Sequence, residues 1–175
     1  MKLRTYVAIA ATVVIAACGS TTYMASDTRT GVVVAPVSAQ TAFFAQYPRA
    51  TNVVWTHYDP VVVIPIDWDL SGWSVMDNND YVVMFNQDGE YYYTWYNDGG
   101  SWVGSAFVLR DLSQTPPQIT ATIRNKYPYY LISSVSKEFH DNSITYEVEL
   151  RNSESKVKLL MDGNGNIIKE RSKPL

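Results

Sequence analysis

The stretch FFAQYP at positions 43–48 returns 80 residues later as IRNKYP at positions 123–128. Each stretch places a large apolar residue four positions before a tyrosine, as in Phe43 and Tyr47, so that both side chains share one helix face. The proline after each tyrosine cannot continue a helix, because its ring clashes with the preceding turn and it lacks an N–H. The sequence therefore predicts two short helices that end with the same signal.

A helix followed by strands is predicted in each half of the chain. Ser38 and Thr115 are the predicted N-caps of the two helices. The segments predicted as strands, from their alternation and their Gly-containing turns, are 53–55, 81–85, 90–96, 101–109, 131–132, 143–150, 156–161 and 166–169. We therefore expect an α+β fold made of a tandem repeat of helix plus antiparallel sheet, with both helices packed on one sheet face. The folded domain is predicted over 38–175, with halves at 38–112 and 113–175.

The first half contains a segment without a counterpart in the second. Residues 60–79 stand between the first two strands and are interpreted as an insertion or an extended first hairpin. The same region is rich in aromatic residues, because 13 of the 23 in the chain lie between Trp55 and Phe107, including all five tryptophans. Charge is also uneven: residues 18–118 carry a net charge of −7 and residues 119–175 a net charge of +2.

The N-terminal residues have the pattern of a bacterial lipoprotein signal peptide. Two basic residues precede the apolar run 7–17, which is shorter than the roughly 20 residues that span a bilayer. The run ends in IAACG at positions 15–19, which resembles the lipobox, and Cys18 is the only cysteine of the chain. The sequence predicts a signal peptide at 1–17, a lipidated Cys18 that carries diacylglycerol and palmitate, and a flexible tether at 18–37.

The residues after Cys18 also predict a location. The sequence resembles bacterial lipoprotein sorting signals in which Gly19 stands where an aspartate would imply retention at the inner membrane, and it has no acidic run after Cys18 that would imply export to the cell surface. We expect a periplasmic protein anchored to the outer membrane on its periplasmic face.

Several motifs together resemble those of a known family. They are YxxxFxxDG at 81–89, YxxGxxW at 96–102, PxIxxxIxxxY at 117–127, YxVxL at 146–150 and DxxGxI at 162–167. In this order, over roughly residues 38–170, the chain resembles the PepSY-like proteins of Bacteroidetes-type bacteria, small secreted or lipid-anchored proteins whose tandem fold is likened to the β-lactamase-inhibitor protein. The resemblance implies a non-enzymatic binding or inhibitory module.

The sequence offers little for catalysis or metal binding. With two histidines and one cysteine, it has no catalytic motif, and the pair His140-Asp141 lies in a stretch with the composition of a hairpin turn. The loop 162–166 has oxygen ligands at alternate positions but lacks the glycine and glutamate of a calcium loop. We predict no catalytic residue, no metal, no cofactor and no nucleic acid partner, since the acidic half would repel phosphate.

The candidate contact residues are aromatic. Alternation along 90–96 sends Tyr92 and Tyr96 to the same face as Glu90 and Thr94, which we interpret as the solvent face. Trp68 and Trp73, in the segment 60–79, are the other aromatic residues expected to be exposed. These four side chains predict an aromatic sheet face that binds a protein partner. Exposed tryptophan and tyrosine side chains also stack on sugars, so a glycan-binding lipoprotein is the alternative.

Overall fold

The computed structural model describes residues 33–175. The predicted signal peptide 1–17, Cys18 and the tether up to residue 32 lie outside the described residues. The elements are α1 (Val37–Gln46), β1 (Thr51–His57), α2 (Trp68–Ser71), β2 (Tyr81–Gln87), β3 (Glu90–Tyr96), β4 (Trp102–Val108), a 3-10 turn (Leu112–Gln114), α3 (Pro117–Lys126), β5 (Leu131–His140), β6 (Ser143–Arg151), β7 (Ser155–Asp162) and β8 (Ile167–Pro174).

The eight strands form one antiparallel sheet in the order of the sequence, β1 to β8. Each strand therefore pairs with the strands before and after it, and β4 pairs with β5 to join the two halves. The predicted α+β class with an antiparallel sheet is confirmed.

Both long helices pack on one face of the sheet, which we call the helix face. Phe43 of α1 is fully buried, and its ring lies 5.0 Å from Phe85 and 5.6 Å from Trp55. Ile119 and Ile123 of α3 pack in the same way against residues of β5 to β7. Tyr92 of β3 contacts both groups of core residues, so the hydrophobic core on this face is continuous.

The predicted helix ends are confirmed and the predicted N-caps are wrong by one or two positions. The N–H of Tyr47 donates to Phe43 O, and that of Tyr127 to Ile123 O, both at 2.8 Å. The N-cap positions are held by Pro36 and Pro116, with φ of −52° and −51°. Because proline fixes φ near −65°, it starts a helix without a side-chain cap.

The segment 58–80, which we call the strap, joins β1 to β2 and lies across the opposite face of the sheet, the strap face. Trp68 and Trp73 of the strap pack with Trp95 of β3, with the three ring centroids 5.4 to 5.6 Å apart in edge-to-face pairs. Ile66 and Met76 of the strap are also buried in this cluster. The first half of the sheet is therefore covered on both faces.

Two turns at one end of the sheet make matching contacts with the helices. Gly100, between β3 and β4, has φ +83° and lies against the first turn of α1. Gly165, between β7 and β8, has φ +84° and lies against the first turn of α3. A side chain at either position would strain the turn and collide with the helix.

None of the helices within 33–175 has the length and hydrophobicity needed to cross a membrane.

Candidate binding surface

An aromatic cleft of about 450 Å³ opens on the helix face between the end of α1 and the turn that joins β5 to β6. The residues that line it include Tyr47, Tyr92, Trp102, Phe139, His140 and Ile144. Tyr92 lies in the wall of the cleft, where its ring stacks on Phe85 at 5.2 Å and packs on Phe107 at 4.6 Å.

A chain of buried hydroxyl groups fixes this wall. The Ser105 hydroxyl donates to Thr94 Oγ1 at 2.7 Å, so Tyr47 is the donor in its 2.5 Å hydrogen bond with Ser105 Oγ. Thr94 in turn donates to Gly104 O at 3.0 Å, and the indole N–H of Trp102 lies within hydrogen-bond distance of both hydroxyls. Burial raises the pKa of Tyr47, although its hydrogen bonds to the two hydroxyls act in the opposite direction. The phenol is therefore neutral and able to donate.

The prediction that Tyr92 and Tyr96 are exposed is wrong. Tyr96 is fully buried between α1 and the sheet, and Tyr92 is half-buried beneath both helices. The error came from Thr94, whose polarity indicated a solvent face. Thr94 is fully buried, because its hydroxyl is satisfied by Ser105 and the carbonyl of Gly104. Tyr91, on the face predicted as core, is the exposed tyrosine of this strand.

Trp68 and Trp73 were also predicted to be exposed. This prediction is wrong for Trp73, which is 6% exposed, and Trp68 is half-buried. Trp73 lies over Gly104 and stacks on the ring of His140 at 5.3 Å. Trp73 is therefore not available to stack on a sugar from solvent, and Trp68 is available only in part.

His140 supports Trp73. Its Nδ1 lies 2.6 Å from Val103 O, and because a carbonyl only accepts, Nδ1 carries the proton. Nε2 lies 3.1 Å from Asp141 Oδ2, in a turn where Asp141 and Asn142 both have positive φ. The hydrogen bond from Nδ1 to Val103 O holds the ring beneath the strap.

The most exposed apolar group near the aromatic cluster was missed by the sequence analysis. Val61, Val62 and Val63 are 86%, 57% and 94% exposed, and we call these three residues the valine tip. The N–H groups of Val61 and Val62 donate to the side chain and the main-chain carbonyl of Asp59 at 2.8 and 3.1 Å. The tip is therefore an ordered turn. The run of β-branched residues in 61–64 has the composition of a buried strand, so the sequence does not predict that these side chains are exposed.

A depression of about 360 Å³ lies behind the valine tip. Its lining includes Val62, Val63, Ile64, Trp68, Asp69 and Lys158. Trp68 is the one predicted contact residue that the structure brings next to the valine tip. The valines and the Trp68 indole offer apolar contact area, and the Asp69 carboxylate offers a charge that could orient a bound partner.

The half of the sequence that contributes most of this surface is acidic. Residues 33–118 contain nine aspartate and glutamate residues and two arginines. Four aspartates of the strap, Asp67, Asp69, Asp77 and Asp80, could gather around a cation, but they do not converge on one point. Asp80 accepts from the main-chain N–H groups of Asp77 and Asp98, whereas Asp67 faces basic residues of β7 and β8. Within the described part of the chain, no group of three acidic, histidine or cysteine residues is placed to hold a metal ion.

The loop after β7 is a turn in which the Asp162 carboxylate is already used. It accepts from the main-chain N–H groups of Asn164 and Asn166 at 2.9 Å and from the Asn166 amide at 2.7 Å. These hydrogen bonds explain the pattern of oxygen-bearing side chains in 162–166 without a bound cation.

The chain is thus a small α+β protein with eight antiparallel strands in sequence order and a helix before each set of four. The family described as "Putative beta-lactamase-inhibitor-like, PepSY-like" matches residues 79–169, just over half of the chain. The chain belongs to this PepSY-like family. A comparison with curated protein sequences finds no relative.

Several solved structures from Bacteroides have the same fold. A BLIP-like protein of Bacteroides fragilis is 19% identical, with a TM-score of 0.64 over 83% of this chain and 92% of that one. A DUF2874 family protein of Bacteroides uniformis is 22% identical, with a TM-score of 0.61 over 79% and 90%. A protein of Bacteroides eggerthii described as a putative periplasmic protein is 17% identical, with a TM-score of 0.60 over 80% and 90%.

Proposed function

We propose that the chain is a non-catalytic module that binds a protein partner through the valine tip and the depression behind it. The observation that carries this proposal is the exposure of three consecutive valines on a hydrogen-bonded turn. Burying one valine side chain in an interface contributes about 1.5 to 3 kcal/mol, and an ordered turn loses little entropy when it binds. Contiguous exposed apolar residues on a folded protein are typical of an interaction site.

The net negative charge of the half that carries the tip favours a partner of opposite charge. Nine acidic and two basic residues in 33–118 favour a receiving surface that has an apolar pocket and a rim of lysine or arginine. Attraction of this kind is screened by salt, so the association rate falls as ionic strength rises. Trp68 contributes contact area at the base of the tip.

We propose further that the module is a periplasmic lipoprotein anchored to the outer membrane through Cys18. The lipobox-like sequence supports the anchor, and the tether 18–37 would allow the domain to reach a partner away from the membrane. A related fold from Bacteroides eggerthii is described as periplasmic, which agrees with this location.

We also propose that the two halves are copies of one unit. The matching helix ends at Tyr47 and Tyr127 support this proposal, as do the matching turns at Gly100 and Gly165. The offset is 80 residues for the tyrosines and 65 for the glycines. The offset falls by 15 because the strap extends only the first half.

The test of the binding proposal is capture of a partner from the native envelope with the full chain, using the double variant Val61→Ser with Val63→Ser. We expect at least about a tenfold loss of the captured protein while the circular dichroism spectrum stays unchanged, because both side chains are exposed. Capture should also decrease between 50 and 500 mM salt.

The matched control is Leu131→Ser, since Leu131 is 79% exposed but lies on β5. This variant should capture the partner as well as wild type does. Equal loss in the control and the tip variant, or no loss in either, would remove the valine tip as the contact surface.

A further inference from the structure

A polar cluster attaches the middle of the strap to the second half of the sheet. The main-chain N–H of Asp67, the N-cap of α2, donates to Glu147 Oε2 at 2.9 Å. Lys158 Nζ donates to Glu147 Oε1 at 2.9 Å and lies 3.5 Å from Asp67 Oδ2. Asp67 of the strap is thus attached to β6 through the Glu147 carboxylate and to β7 through the Lys158 ammonium group.

Four more contacts complete this attachment. Arg171 of β8 donates to Asp67 Oδ2 at 2.8 Å and to Asp69 Oδ2 at 3.2 Å. Lys169 Nζ lies 3.5 Å from Asp69 O, and Ser136 Oγ donates to Pro65 O at 3.1 Å. The strap segment 64–71 is therefore held to β5, β6, β7 and β8 by ion pairs and hydrogen bonds, whereas its contact with β2 to β4 is apolar.

Glu138 lies on β5 next to this cluster and has no solvent exposure. Its Oε2 accepts from Thr145 Oγ1 at 3.3 Å, and its Oε1 has no hydrogen-bond partner among the described residues. The charged groups that act on it are Glu147 of β6, Lys158 of β7 and Asp67 of the strap, while its neighbour on β4 is Ala106. Burial, together with repulsion by Glu147, raises the pKa of Glu138 to about 8.

We propose that Glu138 is a proton-dependent latch: the strap segment 64–71 is docked while the Glu138 carboxyl is protonated and is released when that carboxyl ionises. This inference concerns the strap itself and does not depend on the proposed partner. Ionised Glu138 would be a third carboxylate beside Glu147 and Asp67, which already share Lys158. An unpaired buried charge of this kind is strongly unfavourable.

Lifting the strap relieves this charge without breaking the sheet. β5, β6 and β7 are held together by continuous backbone ladders on both sides of Glu147. The strap segment, by contrast, is attached at this end through side chains, and the Asp67 carboxylate leaves with it. Its departure removes one negative charge, frees Lys158 for the remaining carboxylates and admits water to Glu138.

The experiment is hydrogen exchange of the full chain, measured by mass spectrometry at pH 4 and pH 9 for wild type and for Glu138→Gln. Comparison at equal pH cancels the intrinsic pH dependence of exchange. We expect similar rates at pH 4, where Glu138 is mostly protonated whether the strap is docked or released. At pH 9 we expect peptides that cover 64–71 to exchange at least about tenfold faster in wild type than in Glu138→Gln, with β5 to β7 unchanged. Glu154→Gln, at an exposed turn glutamate, is the matched control and should behave as wild type.

A second variant keeps the test decisive where Glu138→Gln folds poorly. The Thr145 hydrogen bond favours the ionised form of Glu138 in the docked state, so Thr145→Val should make peptides that cover 64–71 exchange faster at pH 9 than they do in wild type. Equal exchange of 64–71 in wild type and Glu138→Gln at pH 9, or faster exchange of β5 to β7 together with the strap, would overturn the proposal. Exchange of 64–71 at pH 9 that is no faster in Thr145→Val than in wild type would also contradict it.

Discussion

The indole of Trp73 lies directly against the backbone of Gly104, so close that a Cβ at position 104 would overlap three carbon atoms of the ring. Gly104 is on β4, and its φ lies outside the positive range that favours glycine. The requirement at this position is therefore space for the strap tryptophan. The position of the strap on the sheet therefore depends on the absence of a side chain at Gly104.

Substitution of Gly104 by alanine is expected to destabilise the protein by about 1 to 3 kcal/mol, because the added methyl group overpacks the tryptophan cluster. The free energy of unfolding from urea titration measures this loss. Trp73 would be displaced from Trp68 and Trp95, so the tryptophan emission spectrum of the folded state should shift as well.

The matched control for this prediction is Gly163→Ala. A Cβ at Gly163 would meet only Tyr146 Cε2 at 3.9 Å, which is an ordinary van der Waals contact. Its unfolding midpoint should stay close to that of wild type. A Gly104→Ala protein as stable as this control would mean that the strap adjusts without cost.

A second prediction concerns the hydroxyl chain behind the aromatic cleft. Ser105→Ala removes the acceptor for Tyr47 and the donor for Thr94, so it should cost about 1 to 3 kcal/mol of unfolding free energy. A double-mutant cycle with Tyr47→Phe should give a coupling energy of about 1 kcal/mol or more, because the two groups form one hydrogen bond.

The control for the hydroxyl chain is Ser153→Ala, at an exposed serine of the turn between β6 and β7. It should leave the unfolding free energy within about 0.5 kcal/mol of wild type. Additive effects of Ser105→Ala and Tyr47→Phe would show that the 2.5 Å contact contributes little to stability.

The helix ends and the turns between strands could be predicted from local signals. Tyr47-Pro48 and Tyr127-Pro128 end their helices through the geometry of proline, and Gly100 and Gly165 define turns through positive φ. Such signals act within a few residues, so they are visible in a sequence.

The exposure of the aromatic residues could not be predicted in the same way. Alternation correctly separates Tyr92 and Tyr96 from Tyr93 and Trp95, but it does not say what covers each face. The polarity of Thr94 was misleading because its partner, Ser105, is 11 positions away and on another strand. The strap then buries Trp73 and leaves the valine tip in solvent, which depends on packing between distant segments.

A third prediction follows from Glu138. Its pKa is about 8 in the folded protein, against an ordinary value of 4.5, so between these values the folded state holds a proton that the unfolded state has lost. Stability should therefore fall as pH rises through this window, by at most about 1.4 kcal/mol per pH unit for one proton. Glu138→Gln removes this contribution, so its unfolding free energy should depend less on pH between 5 and 8.

The comparison is made by urea titration of wild type, Glu138→Gln and the exposed control Glu154→Gln at each pH. The control should follow wild type. Parallel curves for all three proteins would show that Glu138 ionises in the folded state near its ordinary value.

The last prediction concerns Cys18, which lies outside the described residues. In a bacterium that processes lipoproteins, the full chain should incorporate labelled palmitate and fractionate with the outer membrane, because two or more acyl chains give stable anchoring. Cys18→Ser leaves no thiol for the diacylglycerol, so the label should be lost and the protein should no longer sediment with the membrane. Lys2→Gln, which keeps Cys18 and the apolar run 7–17, is the control and should still be labelled. Palmitate incorporation that survives Cys18→Ser would contradict the lipoprotein proposal and leave the folded domain without its predicted anchor.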